Sequence, residues 1–218
     1  SADLGIAFDG DADRCFFVDE TGEFVPGDFI TALLADAVLA REPGATVIHD
    51  TRASWAVPDT VETAGGIALV NRVGHSFIKQ RMRETNAAFA GEVSGHYYFR
   101  DFYQADSGTI PALLILELIS QAEMKFSKIL QPLRTRYFLT GELSKHVPDV
   151  ALKLQEIKEQ FGNAGDVTHL DGISITAADW RMNVRPSNTE PLLRLNLEAR
   201  SQTLMEQKRD AVLALLES

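Results

Sequence analysis

Apolar residues in the first 130 positions alternate between short strand-like runs and longer segments with helical spacing. Strands are predicted at 4–8, 15–18, 22–25, 46–49, 67–70 and 87–90. Helices are predicted at 28–38, 54–64, 76–84 and 107–125, the first capped by Asp28 and the last long and buried. Because strands alternate with helices, we expect an α/β domain of βαβ units around a mostly parallel, mixed sheet.

The pattern changes near residue 130, after Gln131 and Pro132. Further strands are predicted at 134–143, 167–170, 173–176, 180–184 and 192–197, with helices at 150–161 and 202–217. Short strands with only two helices favour a smaller α+β domain with an antiparallel sheet. The predicted fold class is therefore an α/β domain followed by this smaller domain.

Composition excludes several classes of protein. The 218 residues include 21 basic and 31 acidic side chains, a net charge of −10, which disfavours binding to nucleic acid or anionic membranes. Cys15 is the single cysteine, so neither a disulfide framework nor a cysteine-rich zinc site is possible. The longest apolar stretch, 110–119, is about half of a membrane span. We expect a soluble, cytoplasmic protein.

The first residues raise the question of whether a longer protein precedes them. The chain opens with Ser1 rather than methionine, and a strand pattern begins at once. Natural domains usually have a looser lead before a buried strand. We expect the chain to be the C-terminal part of a longer protein; the alternative is a trimmed chain or a removed initiator methionine.

Four polar loops each follow a predicted strand. They span 9–14, 50–52, 71–75 and 91–96. In open α/β sheets, ligands bind at the carboxyl ends of the strands. The four loops are therefore expected to converge on one site.

The first loop carries Asp9, Asp11 and Asp13, followed by Arg14. Closely spaced carboxylates suit Mg²⁺ or Ca²⁺ and do not suit zinc or copper. An EF-hand is the competing interpretation, but its sixth position should be glycine and is Arg14, and its flanks should be helices. A solvated acidic turn is the other alternative. Three carboxylates beside an arginine favour a cation with a phosphate ligand.

The loop at 91–96 offers Glu92, Ser94 and His96 between two glycines. This set can accept and donate hydrogen bonds to sugar hydroxyls, and His96 can titrate near neutral pH. A β-bulge with solvated side chains is the alternative. His75 could equally be an ordinary histidine at a helix N-terminus, and Arg52, Arg72 and Lys79 could be simply solvated.

A turn at 185–191 in the second predicted domain can bind an anion. Arg185 can pair with it bidentately, and Ser187, Asn188 and Thr189 add hydroxyl, amide and backbone donors. A polar hairpin turn without a ligand is the alternative.

Together these motifs resemble the α-D-phosphohexomutases. The loop at 9–14 is similar to the family's Asp-Gly-Asp-x-Asp-Arg, and 91–96 is similar to its Gly-Glu-x-Ser-Gly-His. The turn at 185–191 resembles the family's phosphate-binding loop, and Val73 to Lys79 matches a further segment. The segments at 98–102 and 106–108 are similar to the phosphomannomutase branch.

The resemblance implies a four-domain mutase that moves phosphate between the 1 and 6 positions of a hexose. The reaction would use an enzyme phosphoserine and a bisphosphorylated sugar intermediate. Residues 1–23 would be the tail of the second domain, 24–131 the third domain and 132–218 the fourth. The implied partners are mannose or glucose 1- and 6-phosphates, hexose 1,6-bisphosphate and the N-terminal domains of the same protein.

The resemblance also implies roles for individual residues. Asp9, Asp11 and Asp13 would hold Mg²⁺; Arg14, Arg52, His75 and His96 would be catalytic; Glu92 and Ser94 would bind the sugar; Arg185, Ser187, Asn188 and Thr189 would bind the distal phosphate. Some relatives carry lysine at the position of Arg52, and arginine stays protonated, which argues against proton transfer there.

One departure affects the expected activity. The family's nucleophile lies in a Thr-Ala-Ser-His-Asn-Pro-like loop, and the 218 residues contain no such loop. We therefore expect this chain alone to be inactive. The alternatives are a non-catalytic sugar-phosphate-binding module and, more remotely, a calcium-binding protein. Preference for mannose or glucose stays open.

Overall fold

The computed structural model describes residues 2–187 and 190–217. Contacts divide the chain into two units, Ser1–Arg134 and Thr135–Ser218. Within the described residues, no helix has the length and apolar character needed to cross a membrane.

The first unit alternates strands and helices over residues 46–91, as the hydrophobic pattern predicted, whereas its strands at 97–99 and 105–106 and its helix at 126–134 were not predicted. Its elements are β1 (Leu4–Phe8), β2 (Cys15–Asp19), β3 (Phe24–Val25), α1 (Gly27–Arg41), β4 (Thr46–Asp50), α2 (Ala56–Thr63), β5 (Ile67–Asn71), α3 (His75–Thr85), β6 (Phe89–Gly91), β7 (Tyr97–Phe99), β8 (Ala105–Asp106), α4 (Thr109–Ala122) and α5 (Phe126–Arg134). A 3₁₀ turn covers Arg100–Phe102.

The strands of the first unit form two sheets. One is an antiparallel sheet in the order β1-β2-β3, and the other runs β5-β4-β6-β7-β8. In the larger sheet β4 pairs in parallel with β5 and β6, while β7 and β8 are antiparallel. The first of the four polar loops joins β1 to β2 of the smaller sheet. The other three follow β4, β5 and β6.

Helices cover both faces of the larger sheet. On one face Ile78 and Met82 of α3 pack with Ile48, Ala90 and Tyr98 of the strands. Side chains alternate along a strand, so Phe89 and Gly91 of β6 point to the other face, against α1. A Cβ at Gly91 would lie 2.4 Å from Thr31 Oγ1, so α1 can approach this closely only because the residue is glycine.

Three local predictions in the first unit are wrong. Asp28 is not the N-cap of α1: that position is Pro26, and the Asp28 carboxylate instead accepts the Ser54 N–H at 2.8 Å. The helix predicted at 107–125 ends at Ala122, where Glu123 turns to φ +52°. It is also not buried all round, because Leu113 is 61% exposed. The separate helix α5 follows, although it contains Pro132.

The second unit is an antiparallel sheet covered by two helices. Its elements are β9 (Phe138–His146), α6 (Val150–Phe161), β10 (Asp166–Thr168), β11 (Ile173–Thr176), β12 (Trp180–Pro186), β13 (Leu192–Ala199) and α7 (Gln202–Glu217), with a 3₁₀ turn at Gly162–Ala164. The strand order is β10-β11-β12-β13-β9. The first strand begins at Phe138 rather than 134 because 126–134 forms α5.

The two faces of this sheet differ in chemistry. Met182, Leu195 and Ile157 belong to an apolar core formed with α6 and α7. On the opposite face, Asn183 of β12 lies beside Asn196 of β13, which lies beside Glu142 of β9. The predicted fold class, an α/β domain followed by a smaller antiparallel α+β domain, is confirmed.

Candidate functional site

The β1–β2 loop gathers three carboxylates. Asp9, Asp11 and Asp13 each offer an oxygen, and these oxygens all lie within 4.8 Å of one another. The chain turns sharply between them: Ala12 has φ +59°, and its N–H donates to the Asp9 carbonyl at 3.3 Å. Strands flank the loop on both sides, so the helix–loop–helix arrangement of an EF-hand is excluded.

Arg14 partly neutralises this cluster. Its Nε donates to Asp9 Oδ2 at 2.6 Å and its backbone N–H donates to Oδ1 at 3.2 Å. Desolvation alone raises the pKa of the Asp9 carboxyl, but the bonds and charge of Arg14 outweigh it and lower the pKa. Asp9 therefore stays an anion in acid where an ordinary aspartate would be protonated.

The donor set fits a hard divalent cation. Asp11 is exposed, and Asp13 Oδ1 is buried without a hydrogen-bond partner among the described residues. Unsatisfied carboxylate oxygens are unfavourable unless a cation or a donor approaches them. Hard anionic oxygens of this kind match the ligand preference of Mg²⁺.

The carboxylate loop is joined to the loop at 91–96. The Cys15 N–H donates to the Gly95 carbonyl at 3.1 Å, and Arg14 and His96 form an isolated bridge. Gly95 has φ +87°, and a Cβ there would lie 2.8 Å from the Phe16 ring, so this contact requires glycine. His96 Nε2 consequently lies 3.7 Å from Asp13 Oδ2.

At the end of β4, Asp50 holds Arg52 in a buried ion pair. The fully buried Asp50 carboxylate accepts Arg52 Nε at 3.0 Å, Nη2 at 2.7 Å and backbone N–H at 2.7 Å. It also accepts the Val93 N–H at 3.1 Å, which ties down the loop at 91–96. Burial alone raises the pKa of Asp50, but Arg52 and these hydrogen bonds lower it overall. The interpretation of Arg52 as simply solvated is wrong, since its side chain is 6% exposed.

Glu92 links the loops that follow β5 and β6. Its side chain is 2% exposed, with Oε1 accepting the Gly74 N–H at 3.0 Å and Oε2 accepting the Tyr98 hydroxyl at 2.6 Å. Arg52 Nη2 lies 4.0 Å from Oε1. Three strand-end loops thus share one buried network around Arg52 and Glu92.

The remaining polar residues differ in how they are held. Ser94 Oγ lies 3.0 Å from His96 Nδ1. Lys79 is not simply solvated, because its Nζ pairs with Asp106 at 2.7 Å, and Arg72 stacks on the Phe77 ring at 4.1 Å. His75 is the exposed first residue of α3.

Several of these contacts were not expected from the sequence. No role was assigned to Asp50, Tyr98 or Asp106, although Asp106 brings a ligand atom within 4.8 Å of Asp13 and His96. Asp50 lies two residues before Arg52 at a strand end, a spacing that could have suggested the pair. Its contact with Val93 had no signal in the sequence.

In the second unit, Arg185 lies at the end of β12 and is 8% exposed. Its Nη2 donates to Glu142 Oε2 at 3.1 Å, while Arg194 Nη1 donates to Oε1 at 2.9 Å. Arg185 Nε is buried with no hydrogen-bond partner in the described part of the chain. The Ser187 N–H donates to the Leu192 carbonyl at 2.9 Å, and Asn188 and Thr189 lie outside the described residues.

A carboxylate loop suited to a hard cation, joined to buried arginine and a polar glycine turn, is typical of enzymes that transfer phosphoryl groups. Two family models match the chain. Phosphoglucomutase/phosphomannomutase, alpha/beta/alpha domain III, matches residues 26–137, and the C-terminal domain of the same family matches 142–215. The chain belongs to the phosphoglucomutase/phosphomannomutase family, within the α-D-phosphohexomutases.

Individual relatives agree with this assignment. A phosphomannomutase of Escherichia coli (strain K12) is 45% identical over 217 residues, covering 99% of this chain and 48% of the relative. A solved phosphoglucomutase/phosphomannomutase family protein from Burkholderia thailandensis superposes with TM-score 0.86 at 32% identity, over 99% of this chain and 46% of that one. The chain thus spans about half the length of the relatives it matches.

A more distant structure shares the fold alone. The N-acetylphosphoglucosamine mutase of Aspergillus fumigatus, solved in complex with GlcNAc-6P and magnesium, matches 96% of this chain with TM-score 0.67 at 15% identity, over 48% of its own length.

Proposed function

We propose that this chain carries the metal-binding and sugar-phosphate-binding parts of a phosphomannomutase, which converts mannose 6-phosphate to mannose 1-phosphate in the cytoplasm. The observation that carries the proposal is the bond from Cys15 N–H to the Gly95 carbonyl. This bond holds the carboxylate loop at 9–14 against the loop at 91–96, whose side chains can form hydrogen bonds with sugar hydroxyls. Phosphoryl transfer to a sugar requires a metal site and a sugar site placed side by side in this way. Glucose phosphates are the second substrate pair to test.

In this proposal Asp9, Asp11 and Asp13 hold Mg²⁺. When bound, the ion supplies positive charge that offsets the charge of the transferring phosphoryl oxygens. Arg14 stays protonated throughout and adds a second positive charge beside the loop. Its hydrogen bonds to Asp9 also fix the direction of that carboxylate.

The sugar is bound by the loop at 91–96. Ser94 can donate and accept hydrogen bonds, and each oxygen of Glu92 keeps a further lone pair beyond its existing bond. His96 lies between Ser94 and Asp13 and is our candidate for moving a proton at its ring nitrogens. Arg52 and His75 are assigned to orient the substrate and the phosphate, since Arg52 cannot exchange its proton.

The phosphate that does not react is bound by the second unit. We assign this role to Arg185 together with Ser187, Asn188 and Thr189. The unpartnered Nε of Arg185 supports the assignment, because a buried guanidinium N–H needs an acceptor and a phosphate oxygen would provide one.

The phosphoryl donor in this proposal is a phosphoserine that the 218 residues do not supply. The hexose would pass through a 1,6-bisphosphate and turn over in the site. The partners of this chain are then hexose phosphates and the N-terminal domains of the same protein, with residues 1–23 belonging to the second domain, 24–131 to the third and 132–218 to the fourth.

Calorimetry with this chain tests the binding half of the proposal. With Mg²⁺ present, mannose 6-phosphate and glucose 1-phosphate should bind, and mannose without phosphate should bind at least tenfold more weakly. Ser94→Ala should weaken both sugar phosphates, whereas Ser120→Ala, on the exposed side of α4, should not. Equal affinity for mannose and its phosphates would contradict the proposal.

A coupled assay tests the catalytic half. The chain alone should show no mutase turnover, even with Mg²⁺ and hexose 1,6-bisphosphate, because no nucleophile loop is present. The same observation favours a second candidate, a non-catalytic module that binds sugar phosphates. Turnover by the intact gene product would exclude that candidate. A Ca²⁺ affinity far above that for Mg²⁺ would instead favour a calcium-binding protein.

A further inference from the structure

Tyr98 lies on β7, the strand that follows the loop at 91–96. It is fully buried, and its hydroxyl donates to Glu92 Oε2 at 2.6 Å. The ring stands on the α3 face of the sheet, packed with Ile78 and Met82, and stacks near His96 with centroids 6.2 Å apart. The hydroxyl is thus carried by a rigid strand and can point only at Glu92 or its immediate surroundings.

Both carboxylate oxygens of Glu92 accept hydrogen bonds from donors that are fixed in position by regular secondary structure. Oε1 accepts the Gly74 N–H at the start of α3, and Oε2 accepts the Tyr98 hydroxyl. Two fixed donors on opposite oxygens set the plane of the carboxylate. Without Tyr98, the released carboxylate could turn toward Arg52 Nη2, which lies 4.0 Å from Oε1, or toward His96 Nδ1, which lies 3.7 Å from Oε2.

The Tyr98 hydroxyl is a permanent donor. Burial, followed by the charge of Glu92, raises the pKa of its phenol far above the usual value. The hydroxyl therefore keeps its proton at any pH at which the protein is folded, and the hydrogen bond to Glu92 does not switch.

We propose that Tyr98 is a positioning residue that orients Glu92 toward a ring hydroxyl, and so sets the selectivity of this site for hexose phosphates over their deoxy analogues. The inference rests on the proposed function, in which Glu92 binds a sugar hydroxyl. It adds a residue that touches no substrate, and it predicts an effect on selectivity rather than on overall affinity.

The chain contains a matched control for this residue. Tyr97 precedes Tyr98 on the same strand and is equally buried, but alternation directs its ring to the opposite face, toward α1. Tyr98→Phe and Tyr97→Phe each remove one buried hydroxyl from β7. They differ in that only Tyr98→Phe removes a hydrogen bond to Glu92.

The experiment measures calorimetric affinities of glucose 1-phosphate and its 2-, 3- and 4-deoxy analogues, with Mg²⁺ present. In the unmodified chain, the analogue that lacks the hydroxyl bound by Glu92 should bind about tenfold more weakly than the parent. Tyr98→Phe should weaken the parent about tenfold and leave that analogue unchanged, so the discrimination disappears. Tyr97→Phe should keep the discrimination.

Several outcomes overturn the inference. Equal weakening of the parent and all analogues by Tyr98→Phe would indicate a general structural effect, and unchanged discrimination would show that Glu92 needs no such partner. If Tyr98→Phe does not unfold cooperatively, Glu92→Asp carries the test, since the shorter side chain withdraws the carboxylate from the hydroxyl. Full discrimination by that variant also overturns the inference. Failure of the unmodified chain to bind any hexose phosphate would instead refute the proposed function itself.

Discussion

Two clusters in the first unit pair carboxylates with arginine, yet they are built in opposite ways. In the β1–β2 loop, Asp11 is exposed, Arg14 is 41% exposed, and Asp13 Oδ1 has no hydrogen-bond partner among the described residues. At the end of β4, Asp50 and Arg52 are 0% and 6% exposed, and Asp50 accepts four hydrogen bonds.

The difference separates scaffold from binding site. Buried charges are tolerated only when their partners are complete, and the Asp50 carboxylate already accepts four hydrogen bonds, so it fixes Arg52 and the loops around it rather than binding a ligand itself. In the carboxylate loop, by contrast, the Asp11 side chain is exposed, and one of its oxygens lies within 4.8 Å of ligand atoms of Asp9 and Asp13. The same residue types therefore serve stability in one place and binding in the other.

The largest expected effect comes from breaking the buried cluster. Asp50→Asn removes the directly hydrogen-bonded counter-ion of the buried Arg52, leaving Glu92 Oε1 at 4.0 Å, and should lower the free energy of unfolding by about 3 kcal/mol or more. Urea unfolding followed by circular dichroism measures it. Asp11→Asn, in the exposed cluster, should change stability by less than about 0.5 kcal/mol. Equal effects of the two substitutions would abolish the distinction between the clusters.

Asp19, a further buried carboxylate, should make the stability of the fold depend on pH. Asp19 is 3% exposed and accepts bonds from Thr21, Glu23 and Arg134; desolvation alone would raise its pKa, but these partners lower it to about 2. Because the folded pKa is depressed, the stabilisation is complete above the unfolded pKa, near 4, and is lost as pH falls toward about 2.

Asp19→Asn should lower the free energy of unfolding by about 3 kcal/mol at pH 7, since it removes one partner of a largely buried ion pair. The difference from the unmodified chain should shrink steadily between pH 4 and pH 2. Unfolding at a series of pH values measures this convergence. Asp101→Asn, whose side chain is 87% exposed, is the control and should show little difference at any pH.

The contrast between the clusters also explains what the sequence could predict. The carboxylate loop is contiguous, from Asp9 to Arg14, so its chemistry was visible as a motif. The strand before Gly91 to His96 followed from periodicity, but the strand after it, β7, was not predicted. The contact between Asp50 and Val93 joins residues 43 positions apart, and the bond between Tyr98 and Glu92 depends on antiparallel pairing of β6 with β7. Such contacts exist only after the sheet has formed.

A third arginine–carboxylate group, in the second unit, is intermediate. The Arg185 side chain is buried, as that of Arg52 is. Its Nε, however, makes no hydrogen bond to the described residues, and in this it resembles Asp13 Oδ1. Arg185→Ala should weaken the binding of hexose phosphates by about 1.5–3 kcal/mol, more than tenfold in Kd, because a charge-assisted contact to phosphate is lost.

Calorimetry with a hexose phosphate and with the same hexose lacking phosphate separates the two roles of Arg185. If both affinities fall equally, Arg185 stabilises the fold, as Asp50 does, rather than binding the phosphate. Arg209→Ala, on α7 and paired locally with Asp210, should leave both affinities unchanged.

The binding role of the open cluster predicts a metal effect without a stability effect. Asp11→Asn replaces one anionic oxygen ligand by a neutral amide and should weaken Mg²⁺ binding at least tenfold, about 1.4 kcal/mol. Titration with Mg²⁺ measures the affinity, and Asp101→Asn is again the control. Unchanged affinity in the Asp11 variant would mean that the carboxylates form only an acidic turn.

The smallest expected effect tests whether burial, rather than ion pairing itself, makes the Asp50 cluster important. Arg41 Nη2 donates to both oxygens of Glu117, at 2.8 and 3.1 Å, whereas Arg52 donates to the two oxygens of Asp50 through Nε and Nη2, so each pair includes two guanidinium–carboxylate hydrogen bonds. The Arg41 and Glu117 side chains are 66% and 43% exposed, however, so water and salt screen their attraction and hydrate either partner when the other is removed. Arg41→Ala should therefore lower the free energy of unfolding by less than about 1 kcal/mol, and this small loss should shrink further in 1 M salt. The two pairs share these hydrogen bonds but differ in exposure. A loss as large as that of Asp50→Asn would therefore show that hydrogen bonding, and not removal from water, decides which arginine–carboxylate pair stabilises this fold.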